Sequence, residues 1–197
     1  MTRRLSCPVA RRISPFMQSK LLLTMAALAL PSFALAQAKA PAHGTAHSVH
    51  RPVSPAPKSI GKFEDWQAVT HQEAGQQVCY AFVRASGSQP ALPGRGEVVL
   101  TVTQRPGGRD AVAISAGFAY APGTEVQVAV DQAQFAFYTA ARSAFAHDGH
   151  AAVAAFEKGR QAVAKSPGPR KVVVSDTFSL RGFSLAYAAV NKACPPK

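Results

Sequence analysis

From residue 60 to residue 194, apolar and polar side chains alternate in short runs broken by Gly, Pro, Asp and Ser, the pattern of strands joined by turns. Trp66 to His71 is the first expected strand. Gln77 to Arg84 is a clearer one, with Val78, Tyr80 and Phe82 alternating with Cys79, Ala81 and Val83. Glu97 to Gln104 is rich in β-branched residues and ends at Arg105-Pro106-Gly107-Gly108, a turn signal, and Ala111 to Ala116 answers it as a hairpin partner. Thr124 to Val130 places Val126, Val128 and Val130 on one face. Gln134 to Thr139 does the same with Phe135 and Phe137. Gln161 to Lys165 reads as a strand, Ser166 to Pro169 as a loop, and Val172 to Leu180 as the last strand.

Two segments change to a helical period. Asp148 is placed to cap a helix over Ala151 to Lys158 that Gly159 stops, with Val153 and Phe156 as its apolar stripe. A second helix spans Gly182 to Cys194 and ends at Pro195-Pro196. The expected architecture is a mainly β single domain: an antiparallel sandwich or barrel, with one short internal helix and a C-terminal helix packed on it.

The first 59 residues belong to a different regime. Leu21 to Leu30 form an apolar run preceded by Lys20 and four arginines, and followed by Pro31 and Ala34-Leu35-Ala36. That is the layout of a Sec-type signal peptide cleaved after Ala36, and the run is shorter than the ~20 residues a membrane span needs. Met17 would start a well-proportioned signal by itself. Arg11-Arg12 is a weak twin-arginine cue because Ile13-Ser14-Pro15 follows it poorly, and Cys7 lacks the preceding apolar run of a lipoprotein. Residues 37–59, rich in Ala, Pro, His and Ser, have too few large apolar side chains to offset the entropy of ordering and read as a disordered leader. The folded domain is expected over 60–197, in the periplasm or outside the cell, with no transmembrane segment in the mature chain.

Cleavage at Ala36 removes five basic residues and lowers the net charge from +12 to +7. A basic exported protein suits acidic partners: an anionic glycan, lipopolysaccharide, or an acidic envelope or host surface protein. Nucleic acid is excluded by compartment and by the lack of any recognition motif. Cleavage also leaves two cysteines, Cys79 and Cys194. Phe183, Tyr187, Val190 and Cys194 share one helical face, so Cys194 points with the core residues. In an oxidising compartment the two form a disulfide, which in the chain-entropy model is worth about 4–5 kcal/mol; the alternative is a pair of reduced, buried thiols. A redox role would want a C-x-x-C motif, which is absent.

Several short stretches occur in an order that resembles the invasion-associated locus B family of exported bacterial proteins. They are Phe63-Glu64-Asp65-Trp66, Val78-Cys79-Tyr80-Ala81, Thr101-Val102-Thr103-Gln104-Arg105-Pro106 and Gly117-Phe118-Ala119-Tyr120. Ser175-Asp176-Thr177-Phe178-Ser179-Leu180 then leads into Gly182-Phe183-Ser184 and a helix closing at Cys194. The resemblance implies a small β-rich periplasmic or secreted protein, linked by its family name to host-cell invasion, with no assigned enzymatic activity and no catalytic residues to carry over. Some members bear a further cysteine shortly after the tryptophan; Thr70 and His71 stand there in this chain, so no second disulfide is expected.

Four constellations call for weighing. Gly182-Phe183-Ser184-Leu185-Ala186 approaches the G-x-S-x-G nucleophile elbow, but no histidine follows His150, and a turn opening the last helix explains the same residues. His43, His47 and His50 lie in a Gly- and Pro-containing leader that offers at most adventitious metal binding. His147-Asp148-Gly149-His150 lacks a third ligand, and Asp148 already has a capping role. No metal or cofactor is expected. Lys158, Arg160, Lys165, Arg170 and Lys171 crowd the segment after the first helix, with Glu157 as their one opposing neighbour. They read either as an anion-binding patch or as an ordinary solvated face. The leading expectation is a non-enzymatic exported protein acting by surface interaction. An envelope-maintenance or stress-related role comes second, and a hydrolase using Ser184 third.

Overall fold

The computed structural model describes residues 56–196. The expected signal peptide, most of the leader and His43, His47 and His50 lie outside the described residues. Among the described residues, eleven strands form one sheet in which every neighbouring pair is antiparallel: β1 (Lys58–Phe63), β2 (Trp66–Glu73), β3 (Gln76–Arg84), β4 (Gly87–Gln89), β5 (Val99–Arg105), β6 (Gly108–Ser115), β7 (Glu125–Val130), β8 (Ala133–Ala140), β9 (Ser143–Ala146), β10 (Gln161–Pro167) and β11 (Val173–Ser179). The helices are α1 (Gly149–Phe156) and α2 (Phe183–Ala193).

The spatial order is β1-β2-β3-β5-β6-β9-β8-β7-β10-β11-β4. Only Ala85 and Ser86 separate β3 from β4, yet β3 lies third in that order and β4 lies last, beside β11. A sheet whose third and eleventh positions are joined by so short a link must curl back on itself. The Ser86 amide donates to the Thr177 carbonyl at that seam, and the Trp66 indole donates to the Ser179 carbonyl at 2.9 Å. The result is barrel-like, as the turn-punctuated alternation predicts.

The inner face follows from the period-2 pattern. Leu100 and Val102, Val112 and Ile114, Val126, Val128 and Val130, and Val174 and Phe178 are buried, while their sequence neighbours face out. Ala68 and Ala81 on adjacent strands are also buried, and so small that α2 can pack closely over β2 and β3. Phe183 of α2 meets Trp66 at 4.8 Å and Phe156 of α1 at 5.6 Å, so one aromatic cluster fastens both helices to the sheet.

The Asp148 carboxylate accepts from the Ala151 amide at 2.9 Å, the expected N-cap. Gly149 comes so close to β6 that a Cβ there would lie 1.9 Å from the Asp110 carbonyl oxygen.

Four features differ from the sequence reading. β1 opens at Lys58, within the segment read as leader, because pairing with β2 supplies the hydrogen bonds its polar sequence does not advertise. β4 and β9 are too short to announce themselves and exist through their partners, β11 on one side and β6 and β8 on the other. Ser166 and Pro167 continue β10 instead of forming a loop, since Val174 and Val173 of β11 extend opposite them.

Candidate functional site

Cys79 faces inward from β3, and Cys194 is the C-cap of α2. They form a disulfide, with Cα atoms 5.9 Å apart across a sequence separation of 115. Other bonds hold the same helix end: Gln77 Nε2 donates to the Ala193 carbonyl at 2.9 Å, and Arg109 donates to the Cys194 carbonyl at 2.6 Å and to the Asn191 side chain. A cavity of about 440 Å³ opens beside the bridge, lined by Gln76, Gln77, Arg105, Arg109 and Pro195.

The five cations singled out in sequence are spread along one side of the barrel. Lys158 and Arg160 flank Gly159 before β10, Lys165 projects from the middle of β10, and Arg170 and Lys171 sit past its far end. A strand rises about 3.3 Å per residue, so the seven residues of β10 separate the two groups by roughly 20 Å. Among the described residues none of the five is in an ion pair. Arg170 and Lys171 are brought together, both in the left-handed region at φ 56° and 63°. With Tyr120, Ala121 and Thr124 they line a cavity of about 500 Å³. Lys158 instead lies beside Asp131 and Gln132, at a different cavity.

Ser184 is exposed on the first turn of α2, and its Oγ donates to the Glu157 carbonyl at 3.4 Å. The described histidines are engaged elsewhere: His71 with Glu73, His147 with Glu125, and His150 with Asp110. Gly182 sits in the left-handed region at φ 86°, and a Cβ there would meet the Phe63 carbonyl oxygen at 2.1 Å. The elbow-like sequence is therefore a tight junction between β1 and α2 that only glycine fits. His147 and His150, on either side of the capping Asp148, go to two different carboxylates. Among the described residues no group of three or more His, Cys, Asp or Glu is placed to hold a metal ion.

Two polar centres escaped the sequence reading. Asp176 is fully buried and forms a bidentate pair with Arg95 at 2.7 Å, while Ser88 of β4 donates to the same carboxylate at 2.6 Å. Arg95 also donates to the Ala116 carbonyl and lies over the Phe118 ring at 5.0 Å. The guanidinium thus ties the inner face of β11 to the end of β6, and the carboxylate it holds ties in the seam strand β4 through Ser88.

At the second centre, Asp110 Oδ1 accepts from Gln104 Nε2 and from the Tyr187 hydroxyl, each at 2.6 Å, and Oδ2 lies 3.1 Å from His150 Nδ1. Burial works to raise the Asp110 pKa. The hydrogen bonds from Tyr187, Gln104 and His150 outweigh it and hold the carboxyl below its usual value. Burial, with the bond to Asp110, pushes the Tyr187 hydroxyl up. The only sequence signals were an aspartate just past a Gly-Gly turn and an arginine between two glycines, neither of which names a partner.

The fold and these centres define a class: a disulfide-closed antiparallel β-barrel whose polar clusters brace strands and helices. Residues 66–191 match the family model described as the invasion associated locus B (IalB) protein, and the chain belongs to that family. Among solved structures, it is similar to the crystal structure of invasion associated protein B from Bartonella henselae, at 17% identity and a TM-score of 0.48, over 68% of this chain and 95% of that one. No curated protein sequence is a match to the chain.

Proposed function

We propose that this chain is exported and acts without catalysis, by non-covalent surface interaction in the cell envelope or outside the cell, with host-cell association as one setting. The observation that carries the reading is the Cys79–Cys194 disulfide, because such bonds persist in oxidising compartments and are rare in the cytosol. The apolar run ending at Ala34-Leu35-Ala36 supports the same route. Among the described residues no helix is long and apolar enough to cross a membrane.

The contact surface for an acidic partner, whether anionic glycan, lipopolysaccharide or surface protein, is Arg170 and Lys171 at the Tyr120 cavity, with Lys165 on the adjoining strand. Two measurements test the proposal. Cell fractionation with N-terminal sequencing should find a periplasmic or secreted chain beginning at Gln37. Binding to lipopolysaccharide micelles should weaken with rising salt and fall on replacing Arg170 and Lys171 by Ser together. An unprocessed cytoplasmic chain would overturn the export reading, and salt-independent or absent binding would overturn the anionic partner.

A further inference from the structure

The outer face of the sheet carries a row of aromatic side chains that the packing of the core does not require. Strand register places Phe82 opposite Thr101, Thr101 opposite Ala113, Ala113 opposite Phe145, and Phe145 opposite Tyr138. Neighbouring strands lie about 4.8 Å apart, so four steps separate Phe82 from Tyr138 by about 19 Å along the sheet. At one end Tyr80 lies 5.9 Å from Phe82, and His71 meets Tyr80 edge-on at 5.5 Å. At the other, Tyr138 stacks on Phe145 at 5.5 Å with 26° between the planes, and His147 leans on Tyr138 at 5.3 Å. The side chains between, Thr101 and Ala113, are short, which leaves a shallow trough with an aromatic wall at either end. The helices pack against the opposite face through Phe183, Val190, Val153 and Phe156. Tyr138 remains 47% exposed.

Charge and chemistry together select an occupant. Each aromatic wall borders a pair of ionisable side chains, Arg84 with Glu97 at 2.9 Å and His147 with Glu125 at 3.4 Å, all more than half exposed. Arg84 and Glu97 offset one another, and His147 carries charge beside Glu125 only when protonated, so the trough gives a polyanion no net attraction. Burying those charges under an apolar surface would strip them of water. What remains useful is a donor and an acceptor side by side at each end, together with ring faces whose negative quadrupole attracts polarised C–H groups. A pyranose ring offers those two features in one body: C–H bonds over its faces and hydroxyls around its rim.

We infer that this trough is a glycan-binding face, which seats an uncharged chain of β-linked pyranose sugars between Phe82 and Tyr138. Tyr138 and Phe82 stack on sugar faces, Thr101 and Ala113 form the floor, and the Glu125–His147 and Arg84–Glu97 pairs hydrogen-bond ring hydroxyls. The face is separate from the cation pair at Arg170 and Lys171, so either surface can fail without the other.

The test is isothermal titration calorimetry and amide NMR of the full chain with cellohexaose and with chitohexaose, both uncharged. At least one should bind saturably and shift amides of β3, β5, β6, β8 and β9. Tyr138→Ala should weaken that binding about tenfold or more, the loss of one of its two aromatic anchors. Tyr138→Phe, which keeps the ring, should bind like the parent, and both variants should melt with it because Tyr138 is half exposed. Replacing Arg170 and Lys171 by Ser should leave oligosaccharide binding unchanged. The inference is overturned if neither sugar produces heat or shifts, or if Tyr138→Ala binds as the parent does. It is also overturned if light scattering finds a dimer that Tyr138→Ala dissolves, since the face would then be covered by a second copy. Salt-sensitive lipopolysaccharide binding without sugar binding would remove this inference and leave the proposed function standing; loss of both would remove both.

Discussion

Removing the disulfide should destabilise the protein mainly by loosening its unfolded state. The bridge closes a loop spanning 115 positions, for which the chain-entropy model gives about 4–5 kcal/mol. A domain of this size loses roughly 2–4 °C of melting temperature per kcal/mol, so Cys79→Ala with Cys194→Ala should melt roughly 8–20 °C lower than the oxidised parent. The native structure itself should change little. α2 is held independently by the burial of Phe183, Ala186 and Val190, by Gln77 on the Ala193 carbonyl, and by Arg109 on the Cys194 carbonyl. Near-UV circular dichroism of the double variant should therefore overlay the parent at low temperature, while thermal and urea unfolding move together. The parent treated with reductant should follow the variant. Equal melting temperatures for oxidised and reduced protein would refute the entropic argument. A collapsed near-UV signal at low temperature would refute the claim that packing and these hydrogen bonds dock the helix without the bridge.

Further outcomes follow from the polar centres and the tight junction. Arg95→Met strands the fully buried Asp176 with Ser88 as its remaining side-chain partner, which should cost about 3–5 kcal/mol in urea unfolding; adding Asp176→Leu should recover part of that loss. Asp110 has a depressed folded pKa, so its stabilisation is present above the unfolded carboxyl pKa and lost as pH falls through the lower folded value. The melting-temperature gap between parent and Asp110→Asn should then be widest near neutral pH and shrink in acid; a gap independent of pH would contradict it. Gly182→Ala puts a Cβ into the Phe63 carbonyl at a left-handed φ and should destabilise by about 1–3 kcal/mol, measured by denaturant midpoint, whereas Ser184→Ala should be within about 0.5 kcal/mol of the parent.

Strands with several large side chains in strict alternation, such as β3, β5 and β7, were legible in sequence because burying one face requires that alternation whatever the partner. The N-cap at Asp148 and the inward Cys194 were legible for a similar reason: each depends on neighbours within a turn or two of helix. β4 and β9 were not legible. A strand of three or four residues has no periodicity to read, and it forms only because a paired edge is already waiting for it. The five-residue cation cluster shows the converse error of reading proximity from sequence: an extended strand runs through the middle of it and carries its ends apart.

The chain by itself therefore determined a mainly β domain with two appended helices, the two cysteines that close it, and the family to which its ordered motifs point. Local hydrogen-bond periods and side-chain volume carry that information, and both are written residue by residue. Only the tertiary structure decided that β11 returns to the link between β3 and β4, that Arg95 meets Asp176 across the seam, and that Phe82 and Tyr138 share one outer row. Those juxtapositions depend on strand order and register between distant segments, and no local pattern encodes which of many equally apolar strands will be neighbours.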